Sequence, residues 1–154
     1  MALEQNLRAL AVTLKREDET DEQAYQRIRN SRFVTVLKHD EYWPFYHCQF
    51  CYGKVILTVN TAHPFFQTVW QPLSQLAKTV VVAQESDADG SLEVPADIAQ
   101  TCSTVLVGIQ SVLLTLARTQ SRLGSQDMEG EYNKMFDTMN REWSENLATV
   151  LLAK

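Results

Sequence analysis

The stretch that most constrains the fold of this chain is residues 53–70, which read GKVILTVNTAHPFFQTVW. From Val55 to Asn60 most residues are Val, Ile or Leu, a composition typical of a strand that is covered on both faces. We therefore expect the central strand of a small sheet here, with the other elements packed around it.

The central strand is predicted to turn directly into a helix. Thr61 suits an N-cap, and Pro64 has a φ that the first turn of a helix accepts. We favour a neutral His63 that caps the backbone or packs under this corner, and the alternative is a His63 placed where a helix N-terminus can bind an anion. The predicted helix carries an apolar stripe that needs a packing partner: Phe65, Phe66, Val69 and Trp70.

Residues 1–40 are predicted to form an N-terminal helical segment. Four leucines at spacings of four, three and four lie on one face of a predicted helix over residues 2–16. Thr20 and Gln23 fit a capping box, so a second helix is expected to begin near Asp21. The β-branched residues within 33–37 are compatible with a strand and with a helix.

The sheet is expected to be mainly antiparallel, built on a hairpin over residues 42–60. Long helices over residues 96–123 and 127–152 are predicted to form an antiparallel pair that covers the central strand. The first has apolar residues at alternating spacings of four and three: Ile98, Cys102, Val105, Ile109, Val112 and Leu116. A surplus apolar stripe is expected to be available to a partner.

Two further features complete the predicted α+β domain. Pro72 predicts a helix break after Trp70. A short helix over residues 73–83 is favoured after it, although residues 79–82 suit a strand equally well. Residues 85–93 read as a polar loop. The 154 residues fit one domain, in which residues 42–154 form the α+β core.

Composition narrows the classes of protein to consider. The net charge of -5 argues against a chain whose main role is wrapping nucleic acid. Three cysteines are an odd number, which does not favour a disulfide framework. No apolar run approaches the roughly 18 residues of a membrane span, and no secretory signal is recognised, so a cytoplasmic protein without a membrane partner is expected.

The segment His47-Cys48-Gln49-Phe50-Cys51 contains the sharpest candidate for metal chemistry. Two thiolates separated by two residues can bind one zinc ion when a tight turn points both sulfurs the same way. The site would be completed by His47 or by one of three other residues, His39, His63 and Cys102. A redox pair is a further alternative, but we favour two packing residues at the end of a hairpin.

Four basic residues, Arg27, Arg29, Arg32 and Lys38, lie in a window without acids. They form a basic patch that is able to contact phosphates, although a solvated helix face is the favoured interpretation. No glycine-rich phosphate loop and no catalytic constellation is recognised, so the sequence predicts no enzyme activity and no cofactor.

Residues 53–66, with Asn60, His63, Pro64, Phe65 and Phe66 as the most specific part, resemble a segment downstream of the ATPase module in prokaryotic and phage proteins with a histidine-kinase and gyrase-like (GHKL) ATPase domain. The resemblance covers roughly residue 42 to the C-terminus. The nucleotide-binding motifs of that family are absent, so the resemblance implies an accessory region without ATPase activity.

Two functions are compatible with these features. The first is a non-catalytic assembly module that self-associates or docks onto an ATPase-bearing partner through its helical stripes. The alternative is a small zinc- or nucleic-acid-binding protein that uses the Cys48 and Cys51 turn together with the basic patch from Arg27 to Lys38.

Overall fold

The computed structural model describes residues 2–83, 96–126 and 129–153. The predicted loop over residues 85–93 lies outside the described residues. The α+β architecture is confirmed as helices packed on both faces of a three-stranded sheet. In chain order the elements are α1 (Ala2–Thr13), α2 (Asp21–Asn30), β1 (Phe33–Lys38), β2 (Tyr46–Cys51), β3 (Lys54–Asn60), a π-helical turn (Phe66–Trp70), α3 (Gln71–Ala83), α4 (Ala96–Gly124) and α5 (Glu131–Leu152).

The sheet has the order β1-β3-β2, with β3 in the centre as the sequence predicts. Strands β2 and β3 form the predicted antiparallel hairpin, whereas β1 pairs with β3 in parallel, so the sheet is mixed. The N-terminal segment is therefore not wholly helical, because it supplies β1. Val34 and the half-buried Val36 pack beside Ile56, and this tertiary burial selects strand over helix for a β-branched run that suits both.

The two faces of β3 belong to two separate hydrophobic clusters, which confirms that the strand is covered on both sides. On one face, Ile56 packs against α1 and α2 in a cluster of Ala11, Ala24, Tyr25, Ile28, Val34 and Ile56. On the other face lies the larger cluster, formed by Phe45, Tyr46, Leu57, Val59, Phe66, Trp70 and Leu113. Alternate residues of an extended strand point to opposite faces, so one strand serves both clusters.

Helix α2 begins at Asp21, as its capping signal predicts. The Gln23 backbone N–H donates to Thr20 Oγ1 at 3.3 Å, and the Thr20 N–H donates to Gln23 Oε1 at 2.8 Å. This reciprocal pair satisfies donors that the first helical turn leaves without intrahelical partners.

The helical run after the corner continues through Pro72 instead of breaking there. The backbone N–H of Gln71 donates to the carbonyl of Phe66, five residues earlier, as the last bond of the π-helical turn. Proline has no N–H to donate and crowds the preceding turn, and the wider π-helical spacing directly before α3 accommodates it.

Helix α4 carries two apolar stripes, and only one of them covers the sheet. The buried stripe consists of Ala99, Cys102, Leu113 and Ala117, with Leu106 and Ile109 packed against the larger cluster. Four members of the predicted stripe are exposed instead, and we call them the α4 stripe: Ile98, Val105, Val112 and Leu116. Among the neighbouring helices, α3 packs most extensively against α4, and α5 runs back with Leu147 against the larger cluster.

Candidate functional site

The corner between β3 and the following helix is closed by Asn60, which is 3% exposed. Its Oδ1 accepts hydrogen bonds from the backbone N–H groups of Asp40 at 3.1 Å and Ala62 at 3.0 Å. Its Nδ2 donates to the carbonyls of Asp40 at 2.7 Å and Trp43 at 2.9 Å. Both functional atoms of the amide are thus engaged in joining the corner to residues 40–43, which explains an asparagine at the end of an otherwise apolar strand.

His63, not Thr61, caps the helix that starts at Pro64. The Phe65 backbone N–H donates to His63 Nδ1 at 3.1 Å, so this nitrogen carries no hydrogen. The other ring nitrogen, Nε2, lies 2.9 Å from the carbonyl oxygen of Ser144 and therefore donates to it. The ring is a buried neutral imidazole whose two nitrogens are both in use, in agreement with the packing interpretation.

Helix α5 is attached to the corner by two polar residues that the sequence analysis did not single out. Ser144 Oγ accepts a hydrogen bond from the Phe45 backbone N–H at 2.9 Å, and Asn140 Nδ2 donates to the Tyr46 carbonyl at 2.7 Å. The available sequence signal was their spacing, because Asn140 and Ser144 lie four residues apart within the apolar stripe of α5 and so face the same side.

Phe45 lies at the centre of this joint with no exposed surface. Its ring centroid is 4.8 Å from that of Phe65, 5.3 Å from that of His63 and 6.1 Å from that of Trp143. The corner residues Asn60, His63, Pro64, Phe65 and Phe66 are therefore brought together as a structural joint between the sheet, the following helix and α5. The polar atoms of this joint are occupied by internal hydrogen bonds, which favours a structural role over a catalytic one.

The two cysteines of the proposed zinc turn do not lie on the same face, which corrects the geometric premise of that site. Both belong to β2, where positions three residues apart point to opposite sides. Cys48 packs against the larger cluster, and Cys51 packs against the cluster beneath α1 and α2. Across the described ranges, no group of three or more His, Cys, Asp or Glu side chains is arranged to hold a metal ion.

Burial also determines the chemistry of these thiols. It raises the pKa of Cys48 to about 12, and it raises the pKa of Cys51 above its ordinary value as well. Since the thiolate is the nucleophile and the metal ligand, both cysteines are held in the less reactive thiol form. This agrees with the packing interpretation.

The predicted basic patch is divided among separate surroundings. Arg27 forms a bidentate ion pair with Glu19, with nitrogen–oxygen distances of 2.6 and 2.8 Å. Lys38 lies over the ring of Trp43, its Nζ 4.2 Å from the ring centroid. Arg29 is exposed on α2, and Arg32 lines a cleft at the other end of β3. The four cations do not form one surface.

The ion pair between Arg27 and Glu19 predicts a defined pH dependence of stability. The hydrogen bonds from Arg27 hold the pKa of Glu19 at about 2, below its ordinary value of 4.5. The pair therefore stabilises the fold fully above pH 4.5, and this contribution is lost as the pH falls from 4.5 towards 2. We expect Glu19→Gln to lower the urea midpoint at neutral pH and to approach the wild type as the pH falls through this range.

The matched control is Glu17→Gln, which removes a carboxylate that makes no hydrogen bond or ion pair within the described residues. The urea midpoint of Glu17→Gln should lie close to that of the wild type at every pH. If the difference in urea midpoint between Glu19→Gln and the wild type stays constant down to about pH 2.5, the proposed role of the ion pair is contradicted.

Helices α4 and α5 both expose apolar side chains. In the α4 stripe, Ile98 is 46%, Val105 44% and Val112 61% exposed. Helix α5 adds a second set of exposed apolar side chains: Tyr132, Met135, Met139, Trp143, Val150 and Leu152. Exposed apolar surface is a feature of contact sites for another protein or a membrane when it forms a patch larger than scattered single residues.

Helix α4 is also the one helix in the described ranges that is long and apolar enough to cross a membrane. Residues Asp97–Gly124 contain an 18-residue window with a mean hydropathy of 1.5, of which 11% is buried. The sequence analysis missed it because Ser, Thr and Gln interrupt the apolar run. Length and composition alone are a weak criterion, which core helices of soluble proteins also meet.

Comparisons with protein-family models, with curated proteins and with solved structures found no match to this chain.

Proposed function

We propose that this chain is a non-catalytic assembly module that pairs with a second copy of itself through the α4 stripe. The observation that carries the proposal is the exposure of apolar residues on a helix without a charged side chain from Ile98 to Ala117. Leaving these side chains in water forfeits the free energy that their burial provides, about 25 cal/mol for each Å² of apolar surface.

The spacing of the α4 stripe supports a second copy as its occupant. Ile98, Val105 and Val112 are spaced seven residues apart, and Leu116 follows Val112 by four residues. A period of 3.5 residues is the pattern by which one helix packs along another. The partner surface has to be equally uncharged, and an identical stripe meets this requirement in a two-fold symmetric pair.

The hydroxyl groups on α4 are also compatible with a covered helix. Thr101, Thr104, Ser111 and Thr115 each donate to the carbonyl oxygen four residues earlier, at distances of 2.7 to 2.9 Å. The hydrogens of these four hydroxyl groups are satisfied within the helix, so contact with an apolar partner leaves none of the four donors unpaired.

An ATPase-bearing protein is the second occupant that we propose for this surface. The basis is the resemblance of residues 60–66 to the accessory region of GHKL-type ATPase proteins. Asn60 and His63 are hydrogen-bonded internally and belong to the scaffold, so the outer helix faces would make the contact with such a partner.

Sedimentation velocity over a wide concentration range tests the self-association. The wild type is expected to form a dimer of about 35 kDa, twice the chain mass of 17.6 kDa. The double variant Val105→Glu/Val112→Glu is expected to raise the dimer dissociation constant on the order of a hundredfold, because two carboxylates would have to be buried without partners.

The control is Gln100→Glu/Thr104→Glu, which adds the same charge to exposed positions of α4 outside the stripe. It should leave the dimer intact. Urea unfolding checks that both variants keep the wild-type fold. The pairing would be refuted if the wild type is strictly monomeric, or if Val105→Glu/Val112→Glu does not weaken the dimer. It would also be refuted if the protein is a monomer that co-sediments with lipid vesicles.

A further inference from the structure

A cleft of about 490 Å³ lies at the end of the sheet remote from the corner. Three parts of the chain form it: the residues that lead into β1, the turn between β2 and β3, and the last third of α4. Each contributes at least one basic side chain, and the four cations are Arg32, Lys54, Arg118 and Arg122. No Asp or Glu is among the described residues that line the cleft.

The charge of this cleft is not neutralised within the described part of the chain. The side chains of Arg32, Arg118 and Arg122 make no hydrogen bond or ion pair there. Arg118 and Arg122 are four residues apart on one helix, an arrangement in which like charges repel. Lys54 donates to the carbonyl of Arg29 at 2.7 Å and keeps further hydrogens of its ammonium group. An anionic ligand would relieve this concentration of positive charge.

Exposed aromatic rings accompany the cations. Phe33, Phe50 and Tyr52 all line the cleft and are all exposed. Tyr52 also has a positive φ of 50° next to Gly53 at 72°, in a two-residue turn whose first position is normally Asn, Asp or Gly. A tyrosine tolerated in this backbone conformation, with its ring in solvent, is explained when the ring has a ligand to contact.

We propose that this cleft binds single-stranded nucleic acid, with the four cations on successive phosphates and the aromatic rings stacked on bases. Cations that follow the backbone beside aromatic stacking platforms are the combination by which proteins hold single strands. The net charge of -5 is compatible with such a site because only a few phosphates are involved. This site is independent of the α4 stripe, and it differs from the basic patch of residues 27–38, of which it includes Arg32 alone.

The test is fluorescence anisotropy with a labelled oligothymidine of about 12 nucleotides, measured on the full chain at several salt concentrations. Four phosphate contacts predict a slope of log affinity against log salt of about -2.8, or about a 50-fold loss between 50 and 200 mM salt. Arg118→Gln should weaken binding and reduce the magnitude of this slope by about 0.7. Tyr52→Asn, which suits the positive φ, should weaken binding about fivefold or more through lost stacking.

Arg141→Gln is the matched control, since it makes the same change in net charge on α5, outside the cleft. It should bind the oligonucleotide as the wild type does. Three results would overturn the proposal: no binding at low salt, an equal loss in Arg118→Gln and Arg141→Gln, or complete displacement by ATP at an equal concentration of phosphate groups. The protein could instead bind phosphatidylglycerol vesicles, lose this binding in Arg118→Gln and show no oligonucleotide binding. That result would assign the cleft to lipid headgroups and would likewise overturn the proposal.

Discussion

Replacing Phe45 with alanine is expected to lower the free energy of unfolding by about 4 kcal/mol. The side chain has no exposed surface, and its ring contacts those of His63, Phe65 and Trp143. The substitution removes the apolar contacts of a whole ring and leaves a cavity where the sheet, the corner and α5 meet. Aromatic pairs of this kind contribute beyond the area that they bury.

Urea unfolding followed by tryptophan fluorescence measures this loss. The control is Phe50→Ala in β2, the strand that follows Phe45, which truncates an exposed ring and should cost no more than about 1 kcal/mol. If Phe45→Ala does not fold, Phe45→Leu still tests the argument, with an expected loss of about 2 kcal/mol. A loss for Phe45→Ala no larger than that of Phe50→Ala would show that the core is centred elsewhere.

Replacing Asn60 with alanine is expected to cost about 3 kcal/mol, although the substitution removes little apolar surface. It leaves the N–H groups of Asp40 and Ala62 and the carbonyls of Asp40 and Trp43 without their partner. The loss stays below the sum of four separate bonds because the surrounding groups are only partly buried, so water reaches some of them.

The matched control is Asn146→Ala, on the exposed side of α5, which should change the stability by less than about 0.5 kcal/mol. Asn60→Asp separates the two halves of the amide, because it keeps an acceptor for Ala62 but loses the donor to Trp43. We expect it to be destabilising as well. Equal urea midpoints for Asn60→Ala and the wild type would refute the role of Asn60 in closing the corner.

The elements that the sequence predicted well are those specified by neighbouring residues. The capping box of Thr20 and Gln23 locates the start of α2, and the apolar run from Val55 identifies β3, because both signals lie within a few positions. The α4 stripe was recognised as apolar for the same reason. A surplus apolar stripe was expected, but the sequence did not show which apolar residues of α4 would be exposed, since that depends on how the helix packs on the core.

The candidate sites depended on contacts between distant positions. Phe45 and Ser144 are 99 residues apart in sequence, so no local pattern links the corner to α5. The spacing of Cys48 and Cys51 suits a metal turn and a strand equally well, and only the pairing of β2 with β3 sends the two thiols to opposite faces. Likewise, Arg32 and Arg118 line the same cleft only because β1 pairs with β3 and the last third of α4 lies at that end of the sheet.

The sequence by itself determined the α+β class, the central strand, its corner and the long helices, because hydrophobic periodicity, capping and proline geometry act over a few residues. Tertiary structure alone decided the parallel pairing of β1, the hydrogen bond from His63 to the Ser144 carbonyl, the separation of the cysteines and the gathering of four cations in one cleft. The physical reason is that side-chain direction and burial depend on which surfaces pack together, and packing joins residues whose distance along the chain carries no local signal.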